Sequence, residues 1–99
     1  AVVNAGASLL LLECVPASLA KAVTERFDVP VIGIGAGVDC DGQVLVMHDM
    51  LGVYTRKPAK FVKNFLTDDS NQTKDIVGAF KAYHHAVKQR AFPTKQHSF

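Results

Sequence analysis

An α/β fold built on a parallel sheet is what the sequence predicts, on three observations. Two apolar runs, LLLL ahead of Glu13 and VIGI after Pro30, lack the alternation of a half-exposed strand and read as parallel strands covered on both faces. Between them Leu19, Val23 and Phe27 recur at helical spacing. Strand, helix and second strand are complete within about 30 residues, the size of a right-handed βαβ crossover.

Taken in order, residues 1–8 carry the small residues of NAGAS, which suit the end of a helix and its turn into a strand, with Gly6 placed for a positive φ. The first strand is predicted over 7–15, and within it LLLLECVP ends its apolar run on a single carboxylate, Glu13. Pro16 closes the strand and opens a helix where its missing N–H costs nothing, and Lys21, Glu25 and Arg26 face water. Residues 28–30 turn the chain into the second strand, VPVIGIGAG, which closes on Gly33, Gly35 and Gly37.

Asp41 then offers an N-cap, and 42–51 predict a short helix stopped by Gly52, with a strand over 44–47 as the alternative. A further short strand is expected over 53–55, and a helical turn or two over 58–66 with Phe61 and Phe65 on one side. Residues 67–73 form a polar loop. The last helix runs from Thr73 or Lys74 to about Arg90, with Ile76, Phe80, Tyr83 and Val87 as its apolar stripe. Gly78 weakens it by about 1 kcal/mol relative to alanine unless close packing there excludes a side chain. A polar tail with Pro93 and a closing HSF follows, and no internal repeat is present.

A chain of 99 residues with 48% hydrophobic content suits one small ordered domain. Two or three strands cannot make a sheet covered on both faces, so residues 1–99, which start at Ala1 without a methionine, read as the later part of a larger unit. A (β/α)8 barrel of about 250 residues, with its first strands missing here, is the leading architecture because its catalytic groups sit at the C-terminal ends of strands, where Glu13 falls.

The net charge of +2 hides an asymmetry: acids outnumber bases up to Gly52, and bases dominate beyond it. Arg56, Lys57, Lys60 and Lys63 form the densest cluster, but with no aromatic platform or groove-reading motif it reads as a solvated face rather than a nucleic-acid site. Cys14 and Cys40 lack CxxC spacing, which argues against a disulfide framework and for a reducing, cytoplasmic setting. No apolar run approaches the roughly 18 residues that span a bilayer.

Glu13 is the candidate general base. A strand end opening onto a pocket gives a carboxylate an apolar surround, which raises its pKa toward the range that proton abstraction beside a carbonyl requires. A Glu that only caps a strand or pairs with a lysine is the plain alternative. GIGAG, residues 33–37, falls short of a full GxGxxG pattern and reads better as a strand-end loop that lets backbone approach a ligand or a neighbouring strand. No His or Asn is so placed in the sequence as to suggest itself as the partner of a Cys14 nucleophile. His48 and Asp49 point apart on a helix, as do His84 and His85. Asp68 and Asp69 fit helix-start chemistry, and no set of carboxylates here makes a magnesium site.

LLLLECVP, PVIGIGAG, CDGQVLVMHDMLG, KFVKNF and the closing HSF stand in an order that resembles the C-terminal part of the ketopantoate hydroxymethyltransferase (3-methyl-2-oxobutanoate hydroxymethyltransferase) family, over essentially the whole chain. The resemblance implies a (β/α)8 TIM barrel of the phosphoenolpyruvate/pyruvate superfamily, assembled as a homo-oligomer, typically a decamer. It implies transfer of a one-carbon unit from 5,10-methylenetetrahydrofolate to 3-methyl-2-oxobutanoate, giving 2-dehydropantoate for pantothenate synthesis. The family's proton acceptor falls on Glu13, and Gly35 and Gly37 are expected to line the same pocket. The magnesium and keto-acid ligands, two Asp, a Glu and a Lys, belong to earlier strands, so the metal has no ligand in this chain and the segment alone is expected to be inactive. A related barrel enzyme cleaving carbon–carbon bonds and a non-catalytic segment that joins a partner barrel are the competing expectations.

Overall fold

Parallel pairing of the two apolar runs organises the first half of the chain. In the computed structural model, which describes residues 1–99, strand β1 is Leu10–Glu13 and strand β2 is Val31–Ile34, joined by helix α1, Ala17–Arg26. Leu10 faces Val31, Leu11 faces Ile32, Leu12 faces Gly33 and Glu13 faces Ile34. A two-residue strand β3, Gly42–Gln43, adds in parallel on the far side of β2, so the order is β1-β2-β3 and β2 is central. The predicted α/β class and βαβ unit are both present.

Strand β1 is shorter than the predicted 7–15. Cys14 takes a left-handed φ of 53° and Gly35 a φ of 64°, so both strands turn away after the Glu13–Ile34 pair. Coverage also differs from expectation. Ala20 and Val23 of α1 pack with Leu10, Leu12 and Val31 on one face, while Leu9 and Leu11, on the other, are 53% and 54% exposed. Only one face of β1 is covered within this chain. Helix α1 presents Ala20 and Val23 inward and leaves Leu19 exposed, so its apolar stripe is rotated from the predicted one.

Residues 42–51 do not form the predicted helix. Asp41 is not an N-cap: its N–H donates to the Val31 carbonyl at 2.9 Å and its carboxylate accepts from the Val31 N–H at 2.8 Å. That reciprocal bridge holds Gly42 and Gln43 against β2, and helix α2 is reduced to Met47–Met50, ending at Gly52 as expected. The predicted strand at 53–55 is absent, and the Val53 N–H instead closes back onto the His48 carbonyl. Residues 58–66 contain one turn, closed by the Val62 N–H on the Ala59 carbonyl, and no other regular structure. Phe61 and Phe65 therefore serve different places: Phe61 packs on Gly35, and Phe65 is fully buried elsewhere.

A second core gathers around helix α3, Ile76–Lys88, and comprises Met50, Leu51, Phe65, Ala79, Ala82 and Phe92. Phe65 meets Tyr83 and Phe92 edge-on at 5.4 Å each, contacts worth about 0.5–1.5 kcal/mol beyond area burial. Burial pushes the Tyr83 hydroxyl up to about 12. The helix begins later than predicted because Asp75 is its N-cap, accepting the Gly78 N–H at 2.7 Å. Its buried face is made of alanines with Tyr83 and Val87, and Ile76 and Phe80 are exposed. Small residues let α3 approach the Phe65 and Phe92 rings, which hydropathy spacing alone does not anticipate.

Asp68 is likewise not at the helix start. It accepts from the Ser70 hydroxyl, which together with nearby Lys63 holds its carboxyl below the usual range, and the Lys63 ion pair spans 3.4 Å. Between the two cores the side-chain ion pair is Arg90 with Asp39, at 2.6 Å. Arg90 is largely solvated and Asp39 partly so, so the pair contributes about 0–1 kcal/mol. The radius of gyration, 14.2 Å, exceeds the roughly 13 Å of a compact chain of this size, in keeping with two small cores.

The close packing that would excuse Gly78 is present. A Cβ there would overlap the side-chain oxygens of Asn71 and Thr73 and stand 2.8 Å from Asp75 Oδ1. Asn71 is buried and cannot step aside: its amide donates to the Leu66 and Asp75 carbonyls at 3.0 and 3.1 Å and accepts from the Lys74 N–H at 3.1 Å. Gly78→Ala should therefore lower stability by about 1–3 kcal/mol, despite the roughly 1 kcal/mol that helix propensity favours alanine. Urea unfolding would read this as a lower midpoint at constant slope; a raised midpoint would show that the Asn71 knot yields.

Candidate functional site at the strand ends

Glu13 is the last residue of β1, and by the two-residue period of a strand its side chain shares the face of Leu9 and Leu11, away from α1. Its register partner, Ile34, is followed directly by Gly35, Ala36 and Gly37. Parallel pairing, with neighbouring strands about 5 Å apart, therefore brings Glu13 and the glycine turn to the same end of the sheet. The carboxylate itself is exposed and makes no hydrogen bond or ion pair within the chain. The pairing with a lysine that was the plain alternative is not formed.

Gly35 and Gly37 have φ of +64° and +84°. Backbone of that hand suits glycine, and space requires it as well. A Cβ on Gly35 would stand 2.8 Å from the Phe61 ring and 3.2 Å from the Phe99 ring, and one on Gly37 would stand 2.6 Å from the Ala17 Cβ. The Gly37 carbonyl accepts from Gln43 Nε2 at 2.9 Å. The turn is thus clamped by α1, β3 and two aromatic rings.

The other groups weighed from sequence do not converge on Glu13. No three His, Cys, Asp or Glu side chains approach closely enough to hold a metal ion. The two cavities, of about 390 and 410 Å³, lie elsewhere: one beside α3 among Lys63, Asn71, Lys81 and His85, the other between β3 and the end of α3. His48, His84 and His85 are exposed. Sequence reasoning missed Phe61 and Phe99 as neighbours of the glycine turn. Their signal was weak, because aromatic residues in loops carry no periodicity.

Both cysteines are free, and they occupy opposite environments. Cys14 is exposed on the turn after Glu13, whereas Cys40 is buried against Gly33, where burial first, and then Asp41 and Asp39, push its thiol up against the opposing effect of the Thr24 hydroxyl. Because the thiolate is the reactive form, iodoacetamide near neutral pH should label Cys14 and spare Cys40 until denaturant is added. Peptide mapping by mass spectrometry checks this, and equal labelling of the two in the folded chain would contradict the placement.

The family model described as ketopantoate hydroxymethyltransferase matches residues 1–95. Proteins named 3-methyl-2-oxobutanoate hydroxymethyltransferase are similar throughout: 63% identical over 99 residues in Psychrobacter cryohalolentis, covering 100% of this chain and 37% of that protein. The Neisseria meningitidis serogroup A relative is 58% identical over 96 residues, covering 97% of this chain and 35% of its own length. In Acinetobacter baylyi the identity is 56% over 100 residues, with 100% and 37% covered. The chain spans little more than a third of the curated relatives it matches, and across that span it belongs to the ketopantoate hydroxymethyltransferase family.

Proposed function

We propose that this chain supplies the proton-abstracting end of a one-carbon transferase. In the reaction 3-methyl-2-oxobutanoate, 5,10-methylenetetrahydrofolate and water become 2-dehydropantoate and tetrahydrofolate, a step of pantothenate synthesis. The observation that carries the reading is Glu13 at the C-terminal end of a parallel strand, on its uncovered face and level with the Gly35 and Gly37 turn. In this reading the sheet continues beyond β1 as a (β/α)8 barrel, and its mouth is where strand ends deliver their chemistry.

The Glu13 carboxylate takes the proton from C3 of the keto acid. The electron pair of that C–H bond moves into the C2–C3 bond and charge collects on the C2 oxygen. C3 then forms the new bond to the folate-borne methylene carbon as one C–N bond to that carbon is lost, and water replaces the second folate nitrogen, leaving the hydroxymethyl group on C3 and releasing tetrahydrofolate. A base at a strand end reaches the substrate without being buried unpaired in the sheet, which would cost several kcal/mol. The Gly35 and Gly37 backbone borders the same space and lets a small substrate lie close.

The family's magnesium does not fit the residues of this chain, since no three ligating side chains converge. Its ligands are assigned to the part of the relatives that this chain does not span. The keto acid, the folate donor, a homo-oligomeric assembly of the decamer type and a cytoplasmic setting all belong to this reading. No helix is long and apolar enough to cross a membrane.

Two outcomes follow. The 99-residue chain given magnesium and both substrates should release no tetrahydrofolate; steady release would refute the division of labour. In a protein of the relatives' full length carrying this sequence, Glu13→Gln should slow exchange of the C3 proton by about a hundredfold or more while changing keto-acid binding little. Exchange at the parent rate would reject Glu13 as the base.

A further inference from the structure

We infer that Phe99 is a positioning residue for Glu13, an inference that rests on the reading of Glu13 as the base. Its main-chain carbonyl and its ring hold the ends of β1 and β2 in a single arrangement. The carbonyl accepts the Ala17 N–H at 3.2 Å. Ala17 opens α1, whose first N–H groups have no partner within the helix, and Pro16 at the N-cap offers no side-chain acceptor. A helix end that the local sequence leaves uncapped is therefore capped by residue 99.

The ring meets the other strand end, its edge standing 3.2 Å from the position of a Cβ on Gly35, beside Phe61. One residue thus touches both turns that flank the site: the one after Glu13 and the one after Ile34. The first of these contains Cys14, a non-glycine residue at φ 53°. Such backbone persists only where its surroundings over-determine it. Here the determinants are the Cys14 N–H on the Ile34 carbonyl at 2.9 Å, the Ala17 N–H on Phe99, and the contact of Ala17 with Gly37.

The tail that delivers Phe99 is itself fixed. Phe92 is buried in the second core and its ring lies 5.0 Å from that of His97. The Thr94 N–H donates to His97 Nδ1, and the Ser98 hydroxyl donates to the Thr94 carbonyl at 2.8 Å. Lys60 Nζ stands 5.3 Å from the Phe99 ring centre. Phe99 is nonetheless 51% exposed, so it is no core residue, and its contacts are concentrated on the strand ends.

The test uses a protein of the relatives' full length carrying this sequence, with Phe99→Ala and Phe99→Tyr. The alanine variant should lower kcat and C3-proton exchange by about tenfold, with KM for the keto acid changing less than about threefold, and the tyrosine variant should recover to within about threefold of the parent. Should the alanine variant fail to fold, Phe99→Leu takes its place with the same expected direction. Parent-like C3-proton exchange in Phe99→Ala, or no recovery in Phe99→Tyr, would overturn the inference. Amide hydrogen exchange at Ala17 provides a readout independent of the base: the brace predicts faster exchange in Phe99→Ala, and an unchanged Ala17 rate would defeat it even if Glu13 were reassigned.

Discussion

The four-residue parallel ladder between β1 and β2 is the constraint on which the rest depends. Its register, from Leu10–Val31 to Glu13–Ile34, places a carboxylate and a glycine turn at one end of the sheet. A slip by one residue would turn Glu13 to the α1 face and bring Leu12 to the strand end. The register is held by the burial of Val31 with Ala20 and by the bridge from Asp41 to both main-chain groups of Val31. The position of Glu13 is thereby tied to an aspartate on a different strand boundary.

The two cores lie at different distances from the strand ends. The second core, with Phe65, Phe92 and α3, makes no contact with Glu13, yet it anchors the tail that returns residue 99 to the strand ends. The first core is small, and the β1 face that carries Leu9, Leu11 and Glu13 is left bare. An apolar face of this kind, ending on a carboxylate, is what a barrel interior presents when its remaining strands enclose it.

Much of this was legible in the sequence, and the failures share a cause. The βαβ unit, the Glu13 strand end, the glycine turn and the last helix were readable because apolar runs and helical spacing are local signals. The segment 42–51 was misread because Asp41 spends its carboxylate on Val31, a partner ten residues away, and so does not cap a helix. The Ile76 and Phe80 stripe was misread because alanines line the buried side of α3. Phe61 and Phe99 were overlooked as neighbours of Gly35, since their role exists only once the chain folds back on itself. The role proposed for Glu13 rests on the family resemblance, whereas the strand register accounts for its place at the end of β1, level with the glycine turn.

Residue-resolved amide hydrogen exchange on this chain tests the register most directly. The Leu10 and Cys14 amides donate to the Pro30 and Ile34 carbonyls at 2.9 Å each, bracketing Glu13's strand. The account predicts slow exchange at both positions and rates near those of an unstructured chain at Leu9. Fast exchange at Cys14, with Leu10 still protected, would mean that the ladder ends before Glu13 and that the carboxylate is not held beside the glycine turn.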